Sequence, residues 1–266
     1  MDYHQLLKKL YETKPDHVSN IAFWKLIHFA DTAEIHYKED AYNHLWIVKD
    51  NRLFFYYSWK EEGQGIVENR EKLLFSKEDL EAYDLVILNQ TQYDLLDYQP
   101  DHVEISQPFV YAGQEIPLRD QTLEDFDLRA FDFERDYDEA ALIINRAYDW
   151  ASYTGDHVKA FKESPAYDPD LWVWLVEKKT GKKAALGIGD FYSPIKEGSL
   201  DWVQVDPDFS KRGLGKYLVK VLVDRIVSKG GTIRVTGIAD AFYQSCGLVT
   251  EEKWYILDNK KTYIGC

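Results

Sequence analysis

The sequence predicts an α/β (α+β) protein of two domains, and three observations lead to that reading. The chain has 266 residues, 45% hydrophobic and 15% aromatic, which is enough for two ordinary cores. Residues 1–120 mix helical and strand periodicities without a regular alternation. From residue 121 to 266 the pattern is ordered, and the elements read β-α-α-β-β-β-α-β-α-β. Between them the segment Gln114 to Asp127 is acidic, contains Pro117 and has no clear period, so the boundary is placed there.

In the first domain, Tyr3, Leu6, Leu7 and Leu10 fall at helical spacing over Asp2 to Tyr11, and a second helix is expected over Ser19 to Phe29. Leu45–Val48 and Leu53–Tyr57 flank Lys49-Asp-Asn-Arg52, a hairpin signature. Ser76-Lys-Glu-Asp79 has the spacing of a capping box and starts a further helix. Leu85–Leu88 reads as a short buried strand, followed by a helix near Thr91 to Tyr98.

In the second domain, Leu128 to Phe133 is a strand and Asp136 to Tyr148 a helix, with Ala140, Ile143, Ile144 and Ala147 on one face. A shorter helix covers Asp156 to Ser164. Leu171–Glu177 and Ala184–Tyr192 form an antiparallel hairpin about Lys178–Lys182, and Leu200–Val205 is the next strand. The best-defined helix follows, with Leu214, Tyr217, Leu218, Val221 and Leu222 as its apolar stripe and Gly230-Gly231 as its stop. Thr232–Thr236 is a β-branched strand and Ala241–Cys246 a short helix capped by Asp240. Trp254–Leu257 is expected to close this domain's sheet.

The formal net charge of −14 argues against a broad nucleic-acid surface, which needs clustered Lys and Arg. No apolar run is long enough to span a bilayer, and the N-terminus carries no basic-then-apolar signal. The two cysteines, Cys246 and Cys266, have no metal-type spacing, so a reducing cytoplasm is the expected setting. Six of the seven histidines fall in the first domain without metal-ligand spacing.

One loop stands out chemically. Val205-Asp-Pro-Asp-Phe-Ser-Lys-Arg-Gly-Leu-Gly-Lys216 joins a strand to the long helix. The first amides of a helix have no intrahelical acceptor, the helix dipole is positive there, and glycine lets a ligand approach the backbone. Lys211, Arg212 and Lys216 add local positive charge to an acidic chain. A tight connection with solvated lysines would give the same pattern. The nucleotide-loop alternatives fail on spacing. Ser210 stands where a P-loop needs its first glycine, Tyr217 replaces the required Ser or Thr, and Leu218 occupies the third glycine of a dinucleotide fingerprint.

Residues 200–248 resemble the core of the GNAT (GCN5-related N-acetyltransferase) superfamily. Val205, Pro207, Gly213 and Gly215 match its Val-x-Pro strand end and Arg/Gln-x-x-Gly-x-Gly/Ala loop, with the expected helix following. Tyr243-Gln-Ser-Cys-Gly247-Leu248 matches a second element, Tyr-x-x-x-Gly-Phe. The sequence departs from the pattern at Ser210, where Arg or Gln is usual, and in the short Thr236–Tyr243 connection, which lacks the common Asn. The resemblance implies a mixed, mostly antiparallel central sheet flanked by helices, and acetyl-CoA as co-substrate. The first domain's strand-helix-strand pattern near Leu85 to Ile105 could belong to a degenerate second half of that kind.

By the resemblance, backbone amides of Lys211, Arg212, Gly213, Leu214, Gly215 and Lys216 hold the pyrophosphate. The strand edge at Val203, Gln204 and Val205 pairs with the pantetheine amides. Tyr243 matches the position of the family's general acid; a phenol of pKa about 10 keeps its proton at neutral pH. Asp201 is the first candidate for the base, Asp190 the next, and His157 lies in the region of the substrate wall. Tyr148, Trp150, Tyr153 and Tyr167 either line an acceptor pocket or pack in the core. Cys246 is read as a packing residue beside Gly247.

The expected activity is transfer of an acetyl group to a primary amine of a small, amino-acid-like acceptor. The expected partner is thus a small-molecule amine, with neither nucleic acid nor membrane, and the oligomeric state is left open, a homodimer included. Two other readings keep the fold: an aminoacyl-tRNA-dependent transferase, and a non-catalytic acyl-CoA-binding module.

Overall fold

The computed structural model describes residues 2–63, 65–118, 124–147, 151–237 and 240–261. Two compact units emerge. One is Met1–Pro108 with Thr236–Ile238 and Thr250–Cys266, and the other is Phe109–Val235 with Ala239–Val249. The change from one unit to the other first falls between Pro108 and Phe109.

The first unit opens with α1 (Tyr3–Thr13), whose N-cap Asp2 accepts from the amides of His4 and Gln5. The helix expected over Ser19–Phe29 is α3 (Phe23–Asp31), and a short helix that the periodicity does not predict, α2 (Pro15–Val18), precedes it. Strands β1 (Glu34–Glu39), β2 (Asn43–Lys49) and β3 (Arg52–Glu62) form an antiparallel meander. The β2–β3 hairpin turns on Asp50 and Asn51, with φ of 48° and 57°, the two left-handed residues that such a tight turn requires. Next come β4 (Gly65–Glu68), α4 (Lys77–Ala82), β5 (Leu85–Asn89), α5 (Gln90–Tyr93) and β6 (Val103–Tyr111). β5 runs parallel to β3. Leu53, Tyr56, Leu80, Val86 and Leu88 form a core between this sheet and α4.

The second unit contains β7 (Phe126–Ala130), α6 (Tyr137–Ala147), α7 (Gly155–Ala160), β8 (Tyr167–Glu177), β9 (Lys183–Tyr192) and β10 (Glu197–Val205). α8 (Leu214–Ser228), β11 (Thr232–Gly237), α9 (Asp240–Ser245) and β12 (Leu248–Thr250) follow. β7 through β10 are antiparallel neighbours, and β11 lies parallel to β10. This is the mixed, mostly antiparallel sheet flanked by helices that the sequence predicts.

Alternation along β8 sends Trp172, Trp174 and Val176 to one face, under Ala140, Ile143 and Ile144 of α6. Leu171, Val173 and Leu175 face the other side, against Leu214, Leu218, Leu222 and Ile226 of α8. Each of these α8 side chains is at most 1% exposed, and burying one contributes about 1.5–3 kcal/mol.

β13 (Trp254–Asp258) departs from expectation. Rather than closing the second domain's sheet, it pairs antiparallel with β5 and with β6 inside the first unit. No helix among the described residues is long and apolar enough to cross a membrane.

Candidate active site

The site is built on β10. This strand pairs with β9 along Glu197–Val205 but with β11 only over Glu197–Ser199. Beyond Ser199, among the described residues, no strand pairs with β10 on the β11 side. Val203, Gln204 and Val205, the expected pantetheine edge, all lie in this unzipped stretch. A register shift between Leu200 and Trp202 leaves Asp201 as a bulged residue at its start. The bulge resets the alternation: Leu200, Val203 and Val205 join the α8-side core, while Trp202 joins the α6 side.

The strand runs into the glycine loop. Asp206 accepts from the amide of Asp208 at 2.9 Å, and the turn Pro207–Phe209 buries Phe209 against Phe126. Lys211 has φ of 61° and Gly213 φ of 82°, so the chain passes twice through left-handed backbone before α8 begins. Gly213 is the helix N-cap and supplies no side-chain acceptor. By contrast, α1, α4, α5 and α7 are all capped by Asp, Ser, Asn or Thr side chains. The leading amides of the fifteen-residue α8 are therefore available to an anion, with the helix dipole behind them.

Gly215 has a packing reason of its own. A Cβ there would sit 3.2 Å from the Phe242 ring and 3.5 Å from Val205 Cγ2. Lys211 and Arg212 are exposed and Lys216 is half-buried. Arg212 lies 5.1 Å over the Phe209 ring and 3.7 Å from Glu177, which holds the guanidinium beside the loop. The donors and cations suit a pyrophosphate.

On the α6 face, Asp190 is 3% exposed and stands opposite Ser199 in the β9–β10 register. The Ser199 hydroxyl is 3.2 Å from Asp201 Oδ1, so the structure brings both carboxylate candidates to the start of the unzipped edge. Trp202 stacks on Phe161 at 6.4 Å and meets Tyr153 edge-on at 5.2 Å. Tyr167 packs edge-on to Trp172 at 5.8 Å. Tyr148 and Trp150 lie outside the described residues. His157 serves a local role, its Nδ1 accepting from the amide of Thr154 at 3.1 Å to complete the α7 capping box.

Tyr243 lies on α9, half-buried, with its ring 5.5 Å from Phe109 and 5.2 Å from Phe242. Cys246 is fully buried, and burial pushes its thiol pKa up despite the opposing charge of Lys216. That is the environment of a packing cysteine rather than a nucleophile.

Two features escape sequence reasoning. Trp202 and Phe161, partners of Tyr153, are far apart in the chain and carry no motif. A cavity of about 210 Å³ also opens beside the loop, lined by Glu139, Arg146, Trp174, Lys183, Asp206 and Asp208 among others. Arg146 bonds Asp206 and lies 3.5 Å from Asp208. Lys183 bridges Asp136 and Glu139, and Trp174 Nε1 donates to Asp136 at 2.9 Å. The nearest sequence signal is Asp206-Pro-Asp208 within the Val205–Lys216 loop.

A family model described as FR47-like protein matches residues 176–246, from the end of β8 to Cys246. The chain is similar to a solved acetyltransferase of the GNAT family from Colwellia psychrerythraea, 13% identical, with 96% of this chain and 95% of that one covered and a TM-score of 0.65. The fold is that of the GNAT superfamily. A GCN5-related N-acetyltransferase from Sphaerobacter thermophilus is 16% identical, with a TM-score of 0.52; the match covers 65% of this chain and spans 58% of the other. A fungal GCN5-related glucosamine N-acetyltransferase region, within a multi-domain β-N-acetylglucosaminidase, is 11% identical with a TM-score of 0.52. That match covers 96% of this chain and 36% of the other. No curated protein matches the chain at a significant level.

Proposed function

We propose that the second unit is an acetyl-CoA-dependent N-acetyltransferase that acts on the primary amine of a small, amino-acid-like molecule in the cytoplasm. The observation that carries this reading is the unzipped edge of β10 leading directly into the uncapped N-terminus of α8. Such an edge offers backbone groups in the pattern of a missing strand, and the pantetheine amides fit it. The amides of residues 211–216, with Lys211, Arg212 and Lys216, then hold the pyrophosphate.

In the proposed chemistry the acceptor amine attacks the thioester carbonyl directly. Asp201, or Asp190 behind it, takes the proton that the amine must lose. The tetrahedral oxyanion collapses, and Tyr243 gives its proton to the departing thiolate. Trp202, Tyr153 and Phe161 offer the acceptor an apolar wall. The net charge of −14 favours a neutral or cationic acceptor and disfavours a tRNA donor.

Thiol release from acetyl-CoA over a panel of primary amines tests the reading. The wild type should release thiol with at least one amine, and Tyr243→Phe should lower turnover about 100-fold at unchanged acetyl-CoA affinity. Background release by both proteins across the panel would count against catalysis.

A further inference from the structure

A polar node in the first unit plays no part in this chemistry. It gathers residues that are remote in sequence: Asp16 and His17 of α2, Glu68 at the end of β4, and Glu252 just before β13. His17 Nδ1 lies 2.7 Å from Glu68 Oε2 and 3.0 Å from Glu252 Oε2. Asp16 Oδ2 stands 3.6 Å from Nε2 of the same ring. The His17 and Glu68 side chains are only 11% and 3% exposed, and that of Glu252 19%.

Two carboxylates, Glu68 buried and Glu252 half-buried, therefore converge on one ring nitrogen. A single N–H can serve only one of them, and Glu68 has it. Glu252 Oε2 is enclosed and lacks a hydrogen-bond donor, a costly state for a carboxylate oxygen. The surroundings are built to aim these groups. Asn89, fully buried, donates to Glu68 Oε1 at 2.9 Å and so turns Oε2 toward the ring. The same amide donates to the His17 carbonyl at 2.8 Å, and Trp254 Nε1 holds the Asp16 carbonyl at 3.0 Å. Such outer hydrogen bonds are what fix ligands around a metal.

We propose that His17 Nδ1, Glu68 and Glu252 bind one divalent transition-metal ion of the zinc class, while Asp16, on the Nε2 side, orients the ring. Imidazole and carboxylate donors suit such an ion, with bonds of about 2.0–2.2 Å and neighbouring ligands therefore about 3.3 Å apart. The Nδ1–oxygen separations of 2.7 and 3.0 Å are hydrogen-bond distances, so both carboxylates swing outward to admit the ion. Asp16, His17 and Glu252 also offer donor atoms within 4.8 Å of one another, with Asp16 on the Nε2 side of the ring. Zinc would give both carboxylates a bonded cation in place of one shared ring nitrogen and tie the β13 segment to α2 and β4.

The test is calorimetric titration of the chelator-treated full chain with zinc chloride, repeated on Glu252→Gln and His17→Gln, with His36→Gln as a control histidine outside the node. The wild type and His36→Gln should bind one zinc per chain. Glu252→Gln and His17→Gln should weaken binding at least tenfold while keeping the wild-type circular dichroism. If either fails to fold, Asp16→Asn at the rim should still weaken binding several-fold. No zinc binding by the wild type, or equal binding by the Glu252, His17 and Asp16 variants, would overturn the proposal.

Discussion

The two units repeat one topology and treat its central gap in opposite ways. Each has a three-stranded antiparallel meander, β1–β2–β3 or β8–β9–β10, whose last strand has a parallel neighbour reached through a helix. In each, the parallel pairing is brief: Arg52–Leu53 with Leu85–Val86, and Glu197–Ser199 with Thr232–Arg234. Past that point the second unit leaves β10 open. The first unit fills the edge of β3. Gln92 Nε2 donates to the Tyr56 carbonyl at 2.7 Å, the Asn69 amide donates to the Ser58 carbonyl at 2.8 Å, and β4 pairs with Trp59–Glu62.

The connecting helices differ in the same sense. α8 begins at a left-handed glycine preceded by basic residues. α4 is six residues long, is closed by the Ser76/Asp79 capping box, and carries Glu78 and Asp79 in its first turn. Asp79 accepts from the Ser76 amide at 2.9 Å, and the negative charge of this first turn disfavours an anion there. The contrast supports the reading of the first unit as a degenerate acyltransferase-like half, since a shared topology does not by itself carry a site.

Breaking the plug in the first unit should have the largest effect on stability and none on the site. Gln92→Leu strands the Tyr56 carbonyl and also the Asn89 amide, which Gln92 Oε1 accepts at 3.1 Å. Denaturant unfolding should show a loss on the order of 2–3 kcal/mol, with acetyl-CoA affinity unchanged. A gain of a second acetyl-CoA site would show that the plug alone silences this half. Gly213→Ala, at φ of 82°, strains the open loop instead. Its acetyl-CoA affinity should fall about tenfold, equivalent to about 1.4 kcal/mol. An unaltered affinity would remove the loop from the account. The smallest change is expected from Ser76→Ala, which deletes a cap at a cost of about 1 kcal/mol in thermal or chemical denaturation. It should leave acetyl-CoA binding untouched, whereas impaired binding would contradict the assignment of the site to the second unit.

The parts legible in the sequence are those whose cause is local. Asp50-Asn51 specified its hairpin through left-handed propensity, Ser76 its helix through a cap, and α8 its position through an apolar stripe ended by Gly230. The glycine loop was legible for the same reason, since its backbone and its helix are contiguous. Long-range choices were not. β13 reads as a strand, but nothing in Trp254–Asp258 names β5 and β6 as its partners. β1 carries no clear strand period because its polar residues fall on both faces, Glu34, His36 and Lys38 on one and Glu39 on the other. The bulge at Asp201, the Gln92 plug and the His17 node depend on register and on residues brought from distant segments.

The central claim is that one half of this repeated fold retains an acyl-CoA site and the other has closed it. Isothermal titration of the full chain with acetyl-CoA tests this most directly. The account predicts saturable binding at one acetyl-CoA per chain, and two per chain or none would contradict it.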